Sequence, residues 1–434
     1  MRVLYQAIFL KFIFIFHIDN LFSIEMYKRQ KCCIIPKRGK MASTKDFFKQ
    51  KHEWSKLKDE ILEKYLEPYL EKIKTLESEI AIIDCFAGKG CFDDKTDGSP
   101  LIILRKIANS NAKHLARAYF IEEKYGTDLS KNVAHHVGKY SIYKENYQSN
   151  IDSIKKICKN KNVFLYIDPY GIKPLDFNYF IEFKDSGYNT IELLLNFNTF
   201  GFLREGCRLL RKSSLPEDET DDLLYEEDDI NTIDNMNNIA NGNYWQEMIK
   251  THYDQNKKFI DIEMDFSKEY ENELKKLFRF VINIPIKNKI TNIPKYRIFY
   301  GTNSIAGLFL MVDQMNRTWK NILHITSKGQ GELFSEKTES SISHSLQVFF
   351  PIDFKSELHT LLSKNNSINM RDFYIGIIQK TGITYSSSEY RKIIKDLEKE
   401  KIIKINRKNK TTETGKESTA FDFEKQDIFI EGAN

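Results

Sequence analysis

Two short segments hold residue types able to do chemistry at a ligand. In Asp84-Cys85-Phe86-Ala87-Gly88-Lys89-Gly90, an apolar run ends in an acid and passes into a glycine-containing turn. Glycine lets the backbone approach a ligand closely, and a turn at the carboxyl end of a buried strand is where nucleotides sit in doubly wound sheets. A dinucleotide fingerprint needs GxGxxG opening a helix; only Gly88 and Gly90 are present, which disfavours NAD. The second segment, Asp168-Pro169-Tyr170-Gly171, also follows an apolar run and so faces the same crevice. Its alternative reading is a tight strand-to-loop turn built by Asp-Pro and Gly. Between the two, Phe120-Ile121-Glu122 ends another apolar run in an acid. One carboxylate can accept from both hydroxyls of a ribose. Glu123 is the alternative for that role, and a plain surface carboxylate is a third reading.

Metal chemistry is not expected. The six cysteines, Cys32, Cys33, Cys85, Cys91, Cys158 and Cys207, form no CxxC pair, and no histidines cluster at zinc spacing. Sparse free thiols suit a reducing compartment, so a cytoplasmic protein is expected. A net charge of +5 from 66 basic and 61 acidic residues says little about an anionic partner, which leaves local charge to decide.

The elements that must position these residues alternate in type. Residues 80–84 read Ile-Ala-Ile-Ile-Asp, a strand buried on both faces, and similar runs recur at 118–121, 163–167 and 191–195, with room for crossover helices between them. Further strand-like runs at 278–286 and 296–300, followed by a helical pattern over 304–320, would close the sheet. Residues 45–76 carry apolar side chains at helical spacing, including Phe48, Trp54, Leu57, Ile61, Leu62, Tyr65, Leu66, Tyr69 and Ile73. Pro68 predicts a break or kink that divides this segment into two helices. Glu217 to Asp229 carries nine acids in thirteen residues, and 231–243 is rich in asparagine; the stretch 216–243 reads as a solvated insert.

Beyond residue 350 the order is helix (354–363), helix (370–381), helix (386–401), strand (402–406), polar loop, strand (428–430), which is the order of a winged helix. Residues 355–410 hold thirteen Lys or Arg against six Asp or Glu. Arg391, Lys392 and Lys395 lie on one predicted helix, where they serve either as phosphate contacts or as a solvated basic face. At the other end, Arg2 precedes an apolar run from Ala7 to Phe16 that Lys11 interrupts, and a basic stretch leads to Met41. Residues 1–40 are expected to be a translated upstream region with the true start at Met41; a weak signal or anchor is the alternative, although the run is too short to span a bilayer.

The form Asp-x-Phe-Ala-Gly-x-Gly resembles the first motif of S-adenosylmethionine-dependent methyltransferases, especially those acting on nucleic acids. That resemblance assigns Asp84, Phe86, Ala87, Gly88, Gly90 and Glu122 to the cofactor, with Asn146 reaching toward the adenine. The distance from Asp84 to Glu122 implies an insertion around 93–100. Asp168-Pro169-Tyr170 resembles the Asp-Pro-Pro-Tyr motif of amino-methyltransferases with its second proline missing. In those enzymes the acid and a neighbouring carbonyl accept from the target amine while the ring stacks on a base. Both motifs, with Trp54-Ser55-Lys56-Leu57, Glu67-Pro68-Tyr69 and Asp97-Gly98-Ser99-Pro100, resemble the three-Cys-motif partner protein (TcmP) family over most of residues 45–430.

The resemblance implies an α/β chain: a helical extension at 41–78, a Rossmann-like class I methyltransferase domain at 79–350 and a winged-helix domain at 351–434. It also implies a partner that bears a three-cysteine motif, with no membrane involved; DNA or RNA stays open as a further partner. Asp168 would orient an amine acceptor, and the absence of a Pro-Cys pair argues against cytosine C5 chemistry. The competing expectation is a catalytically inactive module that binds a partner protein or DNA through the winged helix.

Overall fold

A computed structural model describes residues 51, 53–136, 138–212, 232–286, 294–328, 354–364, 367–411, 415 and 427–432, all within one compact unit, Thr44–Asn434. The leader at 1–40 and the acidic run at 217–229 lie outside the described residues.

Seven strands form one sheet: β1 (Ile80–Asp84), β2 (Ala116–Ile121), β3 (Tyr140–Tyr143), β4 (Asn162–Ile167), β5 (Thr190–Phe197), β6 (Phe280–Ile286) and β7 (Tyr296–Thr302). Their order is β3-β2-β1-β4-β5-β7-β6. The first five pair in parallel, and β7 enters antiparallel between β5 and β6. This is a Rossmann-like sheet. The chain runs outward from β1 through β2 to β3 and then returns to β4, so the switch point lies between β1 and β4.

The continuous apolar runs reflect helices on both faces. In β1, Ile80 and Ile82 join one core while Ala81 and Ile83 join the other. The first core takes α1 (Glu53–Ile73), α2 (Ser99–Asn109), α3 (Gly126–Val133) and α10 (Ile305–Lys328). The second takes α4 (Ile151–Cys158), α5 (Phe177–Lys184), α6 (Thr199–Leu209), α7 (Ile233–Ala240), α8 (Tyr244–Asp254) and α9 (Phe259–Lys275).

Two expectations need correction. Pro68 does not divide α1, which runs unbroken past it. Ile61, Leu62, Tyr65, Leu66, Tyr69 and Leu70 are all buried on one side of this helix. At roughly 1.5–3 kcal/mol per fully buried large side chain, their packing outweighs the ~3 kcal/mol that an interior proline costs. The asparagine-rich segment is not a solvated insert in its described part. Met236, Ile239 and Ala240, at helical spacing, bury α7 in the second core. Its asparagines do structural work, with Asn237 Oδ1 accepting from Trp245 Nε1 at 3.0 Å and Asn241 Nδ2 donating to Glu273 at 2.6 Å.

The C-terminal segment holds α11 (Phe354–Lys364), β8 (Ser367–Asn369), α12 (Met370–Thr381), α13 (Ser387–Lys399), β9 (Ile403–Arg407) and β10 (Ile428–Gly432). Its strands form an antiparallel sheet ordered β8-β10-β9. A capping box between Ser386 and Glu389 starts α13. The segment docks on α10: Asn316 Nδ2 donates to the carbonyls of Ile383 and Thr384 at 2.8 and 3.1 Å, Asp313 Oδ1 accepts from Ser387 N at 2.6 Å, and Lys320 pairs with Glu389 at 2.5 Å. Among the described residues, no helix is long and apolar enough to cross a membrane.

Candidate functional site

The glycine turn leaves β1 with Gly88 at φ 61° and Gly90 at φ 79°, a backbone conformation that side chains disfavour. A Cβ on Gly90 would also lie 2.9 Å from Leu129 Cδ1. The turn is bound to both neighbouring strands: Cys85 N donates to Tyr166 O at 2.9 Å, and Ala87 N donates to Ile121 O at 3.1 Å. The segment around 93–100 folds back as a small loop, closed by a bridge between Cys91 and Asp97 and by Gly98 N donating to Gly90 O at 2.8 Å.

The two acids assigned to the cofactor hold this turn in shape. Asp84 is fully buried; its Oδ1 accepts from Phe86 N at 3.2 Å and its Oδ2 from Ser99 Oγ at 2.6 Å. Burial pushes its carboxyl up to about 7, outweighing those hydrogen bonds. Glu122, also buried, takes Gly88 N on Oε2 at 2.7 Å, and takes the amides of Lys124 and Tyr125 on Oε1, each at 2.9 Å. Phe86 packs its ring 5.1 Å from that of Tyr147. Asn146 does not line the cleft; its Oδ1 accepts from Ser149 N and Oγ at 2.8 and 2.5 Å and so caps a short turn. Glu123, the alternative to Glu122, accepts neither the Gly88 amide nor the turn amides.

One cleft unites residues 86–92 with Gly98, Ser99, Asp168, Pro169 and Tyr170, and then with residues that sequence reasoning did not select: Ser55, Lys58 and Asp59 from α1 and Tyr296 from β7. Asp168 is half-buried, Pro169 is buried, and Tyr170 at the rim is 52% exposed. Lys58 Nζ lies 2.9 Å from each oxygen of Asp168 and 5.1 Å from the centre of the Tyr296 ring. Asp168 Oδ1 also accepts from Asn196 Nδ2 at 2.6 Å, and Oδ2 accepts from Tyr166 OH at 3.2 Å. Next to Lys58, burial raises Asp59 to about 6 despite its pairing with Lys51. A signal for Lys58 was present in the sequence, since it stands four residues before Leu62 and eight before Leu66, in line with the buried stripe of α1.

Arg391, Lys392 and Lys395 are all exposed on α13, away from this cleft. Cys85, Cys158 and Cys207 are buried free thiols, and Cys91 is a half-buried one. Among the described residues, no three His, Cys, Asp or Glu side chains are grouped to hold a metal ion.

No family model and no curated protein matches the chain. Among solved structures it is similar to a spermidine synthase in complex with the transition-state analogue AdoDATO, at 9% identity and a TM-score of 0.31. That alignment covers 62% of this chain and 65% of the synthase, so it spans less than two thirds of the synthase's length. The chain is also similar to Trm1 from Pyrococcus horikoshii in complex with S-adenosyl-L-methionine, at 10% identity and a TM-score of 0.28, with 77% of this chain and 90% of the other covered.

Proposed function

We propose that this chain is a three-Cys-motif partner protein that acts as an S-adenosylmethionine-dependent methyltransferase on an amino group of a nucleic acid or nucleoprotein. The observation that carries the reading is the convergence of the glycine turn and Asp168-Pro169-Tyr170 on one cleft at the switch point between β1 and β4. The residues fit an adenosyl ligand: Gly88 and Gly90 supply the left-handed backbone of the turn that lines the cleft, and Glu122 holds that turn in shape through the Gly88 amide. Ligands of doubly wound sheets bind in that crevice.

The bound cofactor supplies a methyl group already activated on a sulfonium. The chain's task is placement, because alignment of two reactants can supply much of a rate enhancement. Tyr170 offers an exposed ring to a planar base beside the turn. Pro169 fixes the backbone between Asp168 and that ring, and its carbonyl is an acceptor for an amine. Calorimetric titration of S-adenosylmethionine into the folded protein tests the reading. Saturable binding is expected, weakened about tenfold or more by Glu122→Gln, a change of about 1.4 kcal/mol. No binding to folded protein, with or without a three-cysteine partner, would sink it.

The C-terminal helices and sheet are assigned as a winged helix with α13 as the recognition helix. Exposure of Arg391, Lys392 and Lys395 supports phosphate contact by that helix. Reversing all three to Glu is expected to reduce the salt dependence of RNA or DNA binding by about three phosphate contacts, at roughly one slope unit per contact. An unchanged slope would assign these side chains to a solvated face.

The second reading is an inactive module that binds a partner protein or DNA. The four hydrogen bonds already made to Asp168 favour it, because they leave the carboxylate little capacity for an acceptor amine. Cofactor binding with no methyl transfer to RNA, DNA or protein acceptors would select this reading.

A further inference from the structure

An ionised carboxylate has about four acceptor positions. Asp168 fills them with Lys58 on both oxygens, Asn196 on Oδ1 and Tyr166 on Oδ2. Such an acid fixes its donors in place. Among them the Lys58 ammonium is the one charged donor, and it meets both carboxylate oxygens. The Lys58 side chain is only 9% exposed and lines the cleft. The Tyr296 ring, 5.1 Å away, restrains it further. Two of its three N–H groups satisfy Asp168, which leaves one able to donate to an oxygen acceptor inside the cleft.

We infer that Lys58 recognises the carboxylate of the cofactor's amino-acid tail, and that Asp168 is the positioning residue that holds Lys58 for it. The inference rests on the cofactor reading proposed above. The Lys58–Asp168 pair suits a zwitterionic tail, because the ammonium can meet the ligand carboxylate while the Asp168 charge balances the ligand's own ammonium. Of the two lysines lining the cleft, Lys89 lies toward Asp93 and the Tyr125 ring and is the more exposed. Spacing supports it as well. Glu122 follows β2 and Asp168 follows β4, with β1 between those strands, so the two acids stand two strand spacings apart, about 10 Å. An adenosyl ligand lying along the glycine turn from the β2 side would extend its tail toward Lys58. The asymmetry of the carboxylates agrees with this direction: burial raises Asp59 to about 6 and Asp84 to about 7, which lowers the negative charge around an incoming anion below neutral pH.

The test compares S-adenosylmethionine with decarboxylated S-adenosylmethionine, two ligands that differ only in this carboxylate, by calorimetry on the full chain. Wild-type protein is expected to bind the carboxylated ligand at least tenfold tighter. Lys58→Met should bring that ratio close to one, whereas Lys58→Arg should retain most of it. Asp168→Asn should reduce the ratio as Lys58→Met does, and the double variant should lose nothing further, because the acid acts through the lysine. A ratio that persists in a folded Lys58→Met protein would overturn the inference and leave the cofactor reading standing. A wild-type protein that prefers the decarboxylated ligand, or binds the two equally, would overturn it also. If neither ligand binds folded wild type, the cofactor reading itself fails.

Discussion

Arg297→Met is expected to lower the unfolding free energy by about 3–5 kcal/mol, the usual cost of removing one partner from a buried ion pair. Arg297 on β7 reaches Glu263 on α9 through Nε and Nη2, both at 2.8 Å, and Asn283 on β6 through Nη1 at 2.6 Å. Glu263 is completely buried and Arg297 nearly so. In the variant, Glu263 would keep only the hydroxyls of Thr199 and Ser267, at 2.8 and 3.0 Å. These cannot neutralise a charge held away from water. The double variant Arg297→Met, Glu263→Met should recover most of the loss, because it removes the charge along with its partner. Urea unfolding of the set would measure both effects. A single variant within 1 kcal/mol of wild type would show that this network does not secure α9 to the sheet.

Glu192→Gln is expected to flatten the pH dependence of stability by about 2–3 kcal/mol between pH 5 and pH 8, at 1.36 kcal/mol per unit of pKa difference. Glu192 lies on β5, buried beneath α1 and α10, where its Oε2 accepts from Tyr65 OH at 2.5 Å. Burial raises its carboxyl from an ordinary 4.5 to about 7. Between those values the unfolded chain has released a proton that the folded chain retains, so rising pH favours unfolding. The stabilising contribution is complete below about 4.5 and is lost as pH rises through about 7. Glutamine does not titrate, and Asp59 and Asp84 titrate in both proteins, so the difference between the two pH profiles isolates Glu192. Parallel profiles would mean that the folded carboxyl ionises at its ordinary pH. The surroundings are tight: a Cβ on Gly307 would stand 2.6 Å from Glu192 Oε1, which explains a glycine inside α10 at this point.

The sheet was legible because of the chemistry of its strands. β1, β4 and β5 are buried on both faces, so their side chains are mostly apolar without alternation, and each run announces itself. Each of the two turns follows such a run directly, so their placement at the carboxyl end of the sheet needed only chain order. β3 and β8 went unseen because four and three residues are too few to display a period, and no residue of β3 is fully buried. The burial of α7 went unseen because asparagine is polar in composition yet serves here as an internal hydrogen-bonding partner for Trp245 and Glu273.

Read alone, the sequence determined every strand of the Rossmann-like sheet except the short edge strand β3, and which two turns meet at its switch point, since both follow from local periodicity and glycine content. The tertiary structure decided what those turns contain. It brought Lys58 from a helix 110 residues earlier onto Asp168, and it set Asn196, Tyr166 and Tyr296 around the same groups. It carried α1 unbroken through Pro68, and it assigned Asp84 and Glu122 to holding a backbone turn. Hydrogen bonding and desolvation act between groups that are close in space however far apart they stand in the chain, so no local pattern encodes them.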